Sequence, residues 1–480
     1  MLALVRRHWL WFAVFLALGI ALRLLFVYRY SLIDGDTLIY GDIALNWIRH
    51  GIYGVTGSAG AKPTLIRLPG YPAFLALCFR LFGAENYRAV MLVQTAIDLM
   101  TAFVVAAIAR ELTRDAELTT TEIENLNFEI RISKFSFALY CLFPYTANYV
   151  SQPLAETPTL FTLSLAILLA LRALRTQSLK MWFACGLACA ATVLLRPDGG
   201  LILISLGLFL LWRWWRTRPL VRFGRDVFRP ALVLALCTVA ALTPWTVRNR
   251  RTFGVWQPLA PTNATDPDDF FPQGFTDWTK TWVVEEASMF EIVWNVPGGP
   301  VDPRLLPARA FDSSAQKQHT LTLLDRYNED LQVPPDLDAQ FAALAAERRQ
   351  AHPLRYYVVL PVARVLDMWL RPRIDTFPID PRWWDLRNRR ETRFAAEYAF
   401  FGIVILVFSI RGWWRLRRLT PLVGVLTFYI VLRTLFLLTV PTSEPRYTIE
   451  CWPMLLVLAG GSASPPTIAR QREQQGVSSS

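Results

Sequence analysis

The chain reads as an all-α polytopic membrane protein with roughly ten spans and one sizeable polar region outside the bilayer. Three observations predict this. Of its 480 residues, 53% are hydrophobic and 13% aromatic, and the mean hydropathy is +0.30, too apolar for a soluble protein of this size. Apolar runs approaching the roughly 20 residues needed to cross a bilayer recur along the chain. Arginines cluster beside those runs rather than on one polar face. The net charge of +12 therefore reads as topology anchors and headgroup contacts, not as a nucleic-acid surface.

The elements follow in order. Trp9–Tyr28 is the first span, and Arg6 and Arg7 before it hold its start on the cytoplasmic side. Its apolar run is long and lacks a small-residue cleavage site, so it is expected to be an uncleaved anchor. The first outer loop, 29–86, contains RLPGYPAFLALCFRLFG, which is apolar but short and broken by Pro69 and Pro72. That pattern suits an interfacial or re-entrant helix. Tyr87–Arg110 is the second span, and the charged segment Glu111–Lys134 returns on the inner side. Spans three to six are expected near Phe135–Val150, Leu154–Ala173, Met181–Leu195 and Gly200–Trp212, followed by the basic loop Arg213–Arg229 and a seventh span, Pro230–Val247.

The expected organisation is a transmembrane catalytic module over 1–248 and a folded outer region over 249–353. An interfacial segment over 354–393, closing spans over 394–463 and an inner tail over 464–480 complete it. The segment Leu354–Arg373 is laid on the outer interface because a span there would put RGWWRLRRL outside. The closing spans are then about Phe394–Ile410, Pro421–Val440 and Tyr447–Ser462. The six cysteines all lie in apolar surroundings and suit buried thiols, and the four histidines are too scattered for a zinc site.

The chemistry-bearing feature is the start of the outer loop, SLIDGDTLIYGDIALNWIRHGIYG, with Asp34, Asp36 and Asp42. A carboxylate cluster at the outer mouth of a bundle suggests chemistry at the membrane surface. Nucleotide sugars and ATP are not expected on that side, so an activated substrate arrives attached to lipid. An acceptor hydroxyl has a pKa far above 7, and its attack needs a positioned base. Any of the three aspartates could serve. Asp42 lies about half a turn from Asp36 around a helix, so one helix does not present both squarely.

A family resemblance then appears in DTLIYGDIA, IRHGIYG, RLPGYPAFLALCFRLFG, SQPLAETPTLF, LLRPDG, TPWTVRNRRTFG and SEPRYTIECWPMLLVLAG. Their order and spacing resemble the GT-C membrane glycosyltransferases, specifically glycosyltransferase family 39, with its protein O-mannosyltransferase-like and lipid A aminoarabinose transferase-like members. The resemblance covers about Leu10 to Gly461. It implies a GT-C type bundle with outer-face interfacial helices. It also implies transfer of a sugar from a polyprenyl phosphate to a lipid, glycan or protein acceptor, with inversion, at the periplasmic face of a bacterial inner membrane. The family pattern makes Asp36 the catalytic carboxylate, with Tyr40 beside it, and Glu156 the acidic residue near the start of the fourth span.

The leaving lipid phosphate calls for arginines or a divalent metal at the outer interface. Arg67, Arg196, Arg248, Arg371 and Arg446 are candidates, since each ends or begins an apolar segment there; snorkelling anchors are the plain alternative. Arg248 and Arg446 sit within family-like motifs. Tyr40, Tyr71, Trp245 and Tyr447 are candidates for lining a substrate groove, and metal dependence is left unknown. Asp98 and Gln94, one turn apart on the second span, are expected to form a structural hydrogen-bond network. A transporter or flippase, or an inactive lipid-glycan-binding relative, is the competing reading. No internal repeat of the transporter kind is visible, and the polar residues gather at one face rather than at the midplane.

Overall fold

A computed structural model describes residues 1–114, 122–217, 222–267 and 269–463. The tail expected over 464–480 and parts of the segments expected as inner loops, Glu111–Lys134 and Arg213–Arg229, lie outside the described residues. The fold is mostly helical, with a single two-stranded antiparallel hairpin among the described residues. Among the described residues, six helices are long and apolar enough to cross a membrane: Trp9–Arg29, Tyr87–Thr113, Glu156–Thr176, Pro197–Arg216, Gly224–Phe253 and Arg389–Leu419. Gly70–Phe82, Leu179–Leu195 and Val423–Leu437 are apolar but shorter.

The chain forms two compact units. The first comprises 1–267, 404–432 and 449–480. Its elements are α1 (Trp9–Arg29), α2 (Asp36–His50), the hairpin β1 (Gly54–Gly57) and β2 (Gly60–Pro63), α3 (Gly70–Phe82), α4 (Tyr87–Thr113), α5 (Glu122–Leu142), α6 (Glu156–Thr176), α7 (Leu179–Leu195), α8 (Leu201–Thr217) and α9 (Arg229–Phe253). α4 packs on α5 and α6, α6 on α7, and α7 on α9. The short α16 (Trp452–Gly460, numbered after the intervening elements given below) is wholly buried and packs on α4 and α5.

Several boundaries differ from the sequence expectation: the seventh span runs on to Phe253, the first closing helix is Arg389–Leu419, and the last is only Trp452–Gly460. The third span does not run from Phe135 to Val150. Pro144 has no N–H to continue the ladder, so α5 ends at Leu142 and a separate short helix, Pro144–Tyr149, follows. At its other end α5 reaches back to Glu122, because neither Gly nor Pro interrupts the polar stretch before Phe135.

Deep in this unit, Arg23 on α1 donates to Asp98 at 2.6 Å and to the Cys141 carbonyl at 2.7 Å, while Tyr140 donates to Asp98 at 2.7 Å. Gln94 accepts from Tyr71 at 2.7 Å and donates to the Gln152 carbonyl at 2.8 Å. Each charge is thus paired and hydrogen-bonded, as burial in an apolar bundle requires. All six cysteines are buried and none is in a disulfide.

Gly70 gives the RLPGYP stretch a packing reason. A Cβ there would lie 2.5 Å from the Leu194 carbonyl oxygen, so α3 meets the end of α7 only because no side chain intervenes. Gly70→Ala is expected to cost about 1–3 kcal/mol by overpacking. Thermal unfolding of the purified variant checks this, and an unchanged Tm would contradict the close approach.

The second unit comprises 268–403 and 433–448. It contains α10 (Gln273–Lys280), α11 (Ser314–Asp330), α12 (Pro335–Ala351) and α13 (Leu360–Leu370); α14 (Arg389–Leu419) and α15 (Val423–Leu437) each begin in one unit and end in the other. Its core gathers Phe275, Trp278, Trp282, Tyr327 and Phe341. Arg348 is buried within it and donates to Thr281, the Ala310 carbonyl and Gln316 at 2.6–2.8 Å.

Two carboxyls of this unit tie its stability to pH. Burial would raise the Glu285 carboxyl, but the bond from Arg309 outweighs it and holds the carboxyl below the ordinary value. Asp312 is held low in the same way by Arg355 and Arg348. A lowered folded-state pKa adds stability that is present above the unfolded value and disappears as pH falls through the folded one. The unit should therefore weaken on acidification below about pH 4.5, followed by fluorescence of Trp278 and Trp282. A signal flat between about pH 5 and 3 would contradict the two ion pairs.

Candidate active site

α2 begins where the segment after α1 turns at Gly35, which adopts φ +45° and so favours a residue without Cβ. Asp36 is the first helical residue, and an acidic side chain in the first turn suits the positive end of the helix dipole. Arg67, just after the hairpin, donates to the Asp36 carboxylate at 2.5 Å. The two side chains are 27% and 17% exposed, so the pair is reachable from outside the fold. The Arg67 guanidinium also lies 5.7 Å from the Tyr40 ring.

A second ion pair stands on the same unit. Arg196, which ends α7, contacts Glu156 at the start of α6 at 2.6 Å, Asp198 at 3.1 Å and Glu450 at 3.2 Å. Glu450 is fully buried and accepts from Tyr429 at 2.8 Å. Burial alone would lower the Arg196 guanidinium, yet the three carboxylates outweigh it and raise its pKa well above the ordinary arginine value.

Tyr40 joins the two pairs. Burial, the largest influence, pushes its phenol up to about 12; Arg67 and Arg196 pull it back, and Asp36 and Glu156 push it further. The phenol therefore stays protonated at neutral pH and can donate a hydrogen bond. Tyr71 meets the Tyr40 ring edge-on at 5.0 Å. Asp36, Arg67, Tyr40, Tyr71, Glu156 and Arg196 thus assemble around one place, from α2, α3, α6 and the end of α7.

Other candidates fall elsewhere. Asp34 is exposed, before the helix. Asp42 accepts from the Thr56 N–H and hydroxyl, both at 2.6 Å, and from Asn46 at 3.2 Å, clamping the hairpin to α2. Asp42→Ala is expected to cost about 0.5–1.5 kcal/mol in stability, since it removes the acceptor of the Thr56 N–H and hydroxyl. Thermal unfolding reads this, and a Tm matching the wild type would contradict the clamp.

Arg248 donates to the carbonyls of Tyr53 and Thr64, both at 2.7 Å, within 5.2–5.3 Å of the rings of Tyr53, Trp245 and Phe253. Trp245 and Arg248 line a cavity of about 570 Å³ with Trp47, Tyr53, Pro69 and Pro244. Arg371, Arg446 and Tyr447 belong to the second unit. Arg371 pairs with Glu286 at 3.0 Å and lies 3.7 Å from Asp367. Arg446 pairs with Glu444, which also accepts from the Tyr447 hydroxyl at 2.5 Å. Burial pushes Glu286 well up, and neighbouring Asp375, Glu444 and Asp367 add to this while Arg371 opposes it. Among the described residues no group of three His, Cys, Asp or Glu side chains could hold a metal ion.

Sequence reasoning missed Glu450, Asp198 and Arg23. The available signal was an isolated charge inside an apolar run, which must have a partner on another helix.

Comparison with known proteins gives a family match over part of the chain. Residues 62–245 match the family model described as dolichyl-phosphate-mannose-protein mannosyltransferase. No curated protein sequence matches the chain. Among solved structures, an oligosaccharyltransferase from Archaeoglobus fulgidus, tethered to an acceptor peptide with the NVT sequon, is 10% identical with a TM-score of 0.49. It covers 94% of this chain and 49% of its own. The archaeal oligosaccharyltransferase AglB, also from Archaeoglobus fulgidus and bound to an inhibitory peptide and a dolichol-phosphate, is 11% identical with a TM-score of 0.48. The coverage is 98% of this chain and 52% of that one. ArnT from Cupriavidus metallidurans, bound to undecaprenyl phosphate, is 12% identical with a TM-score of 0.39, covering 97% and 79%. The chain spans about half the length of the two archaeal structures, and likenesses of this degree carry no further weight here. The matched window contains RLPGYPAFLALCFRLFG, SQPLAETPTLF and LLRPDG, so over residues 62–245 the chain is similar to the family described as dolichyl-phosphate-mannose-protein mannosyltransferase.

Proposed function

We propose that the protein is an inverting glycosyltransferase of roughly ten spans that moves a sugar from a polyprenyl phosphate to an acceptor hydroxyl on the outer face of a bacterial inner membrane. The observation that carries this reading is the gathering of Asp36, Arg67 and Tyr40 beside the Glu156–Arg196 pair in a chain similar to that family over residues 62–245.

In the proposed reaction Asp36 accepts the proton of the acceptor hydroxyl as its oxygen attacks the anomeric carbon. The bond from that carbon to the phosphate oxygen breaks, and polyprenyl phosphate leaves with the electron pair. Charge grows on the phosphate oxygens, so a guanidinium aimed there stabilises the transition state more than the ground state. Arg67 is the best placed of the arginines, because it already faces the reacting carboxylate and its pair is partly exposed. Tyr40 donates to a sugar or phosphate oxygen. Glu156 and Arg196 position the far side of the site. Arg248, braced on two carbonyls, serves the aromatic cavity that takes the first prenyl units. The outer region 249–353 is assigned to acceptor recognition.

The test is incubation of the purified protein in vesicles with a panel of polyprenyl-phosphate sugars, following free polyprenyl phosphate by mass spectrometry. Release that requires an acceptor is expected with at least one donor. No release across the panel, from protein that remains folded, would overturn the proposal.

A further inference from the structure

A second concave, charged place lies at the other end of the bundle. α6 begins with Glu156 at the candidate active site and carries Arg172 sixteen residues later, roughly 24 Å away along the helix at 1.5 Å per residue. That distance approaches the thickness of a bilayer's hydrocarbon core. There the ends of α4 and α6 and the start of α7 enclose a cavity of about 530 Å³.

Its wall is made of four arginines, Arg110, Arg114, Arg172 and Arg175, with Thr176 and Ser178. Arg175 is drawn in at 14% exposure, Arg110 and Arg172 are 33% and 40% exposed, and Arg114 is exposed. Buried Glu111 gathers two of them: Arg172 donates to its carboxylate at 3.1 Å, and the Arg175 guanidinium lies 3.6 Å from the second oxygen. Arg175 also donates to the Glu111 carbonyl. Arg110 pairs with Glu129 on α5. Four guanidiniums against these two carboxylates leave the wall with an excess of two positive charges. The cations are all arginine, whose planar forks suit bidentate binding of phosphate oxygens, and two hydroxyls stand beside them.

We propose that this cavity binds a phosphate anion, and specifically the headgroup of an anionic phospholipid in the leaflet opposite the candidate active site. The shared chemistry is a phosphate held by Arg172 and Arg175, with Arg114 at the exposed rim and Arg110 beside it. The site is independent of the reaction proposed above, since none of its residues takes part in that site.

The experiment uses the full-length protein in mild detergent and adds phosphatidylglycerol, phosphatidylcholine or inorganic phosphate. Bound lipid is read by native mass spectrometry and stability by thermal unfolding. Phosphatidylglycerol should bind and raise the Tm, and phosphatidylcholine should do neither. Arg172→Gln with Arg175→Gln should weaken phosphatidylglycerol binding about tenfold or more. Arg114→Gln, at the rim, provides a second variant should the double variant fail to fold, and it should weaken binding in the same direction. If inorganic phosphate binds, stabilises and displaces phosphatidylglycerol, the site is a phosphate site for a soluble ligand and the lipid assignment falls. If wild type and Arg114→Gln bind both phospholipids alike, the cavity has no preference for an anionic headgroup and the proposal is overturned.

Discussion

Asp36→Asn is expected to lower the rate of sugar transfer by about 10²–10⁴-fold, the contribution of a positioned general base, while leaving the protein folded. The substitution keeps the size of the side chain and an oxygen that can still accept from Arg67. It removes the ability to take up a proton. Stability should hardly move, because the Asp36–Arg67 pair is partly exposed and such pairs are worth roughly 0–1 kcal/mol. A loss of rate at unchanged Tm separates a role in chemistry from a role in folding. A rate within a few-fold of wild type would remove Asp36 from the reaction, and Asp34 would be the next carboxylate to test. Asp42, engaged by Thr56 and Asn46, is the natural comparison, since its loss is expected in stability.

Arg196→Met should be the most destabilising single change in the site. Arg196 is one guanidinium facing Glu156, Asp198 and Glu450, with Glu156 and Glu450 buried. Removing one partner of a buried ion pair costs about 3–5 kcal/mol, because the remaining charge has lost its compensation. The expected result is a large fall in Tm or failure to accumulate in the membrane. Combining Arg196→Met with Glu156→Gln should recover part of the loss, and a double-mutant cycle measures how much of the cost is that pair. A single variant as stable as wild type would show that water or another cation already balances these carboxylates.

How much was legible in the sequence depended on whether the signal was local. Asp36 stood out because a carboxylate directly after an apolar span is conspicuous, and α2 starts at that residue. Arg67 and Arg196 were visible as arginines at segment ends, but the carboxylate each one faces was not, since Asp36 is 31 residues from Arg67 and Glu156 is 40 from Arg196. Glu450 was hidden inside YTIECWPM, where its neighbours suggested an ordinary span; only the fold brings Arg196 and Tyr429 to it. Asp98 was read as part of a network, yet its partner Arg23 lies 75 residues away. Helix positions were largely given by composition, but helix ends were not, and the break at Phe143–Pro144 was read through, because a proline in an apolar run can kink a helix or end it. Arg248 looked like a phosphate ligand from its motif. Its bonds to the Tyr53 and Thr64 carbonyls are backbone contacts, which side-chain patterning does not encode.

The most direct measurement is a cryo-EM structure of the full chain with a non-hydrolysable polyprenyl-phosphate sugar. The sugar–phosphate linkage is expected beside the Asp36–Arg67 pair, with the carboxylate within hydrogen-bond reach of the path an acceptor hydroxyl would take to the anomeric carbon. A donor headgroup seated elsewhere, with Asp36 out of reach of the sugar and still clasped to Arg67, would contradict it.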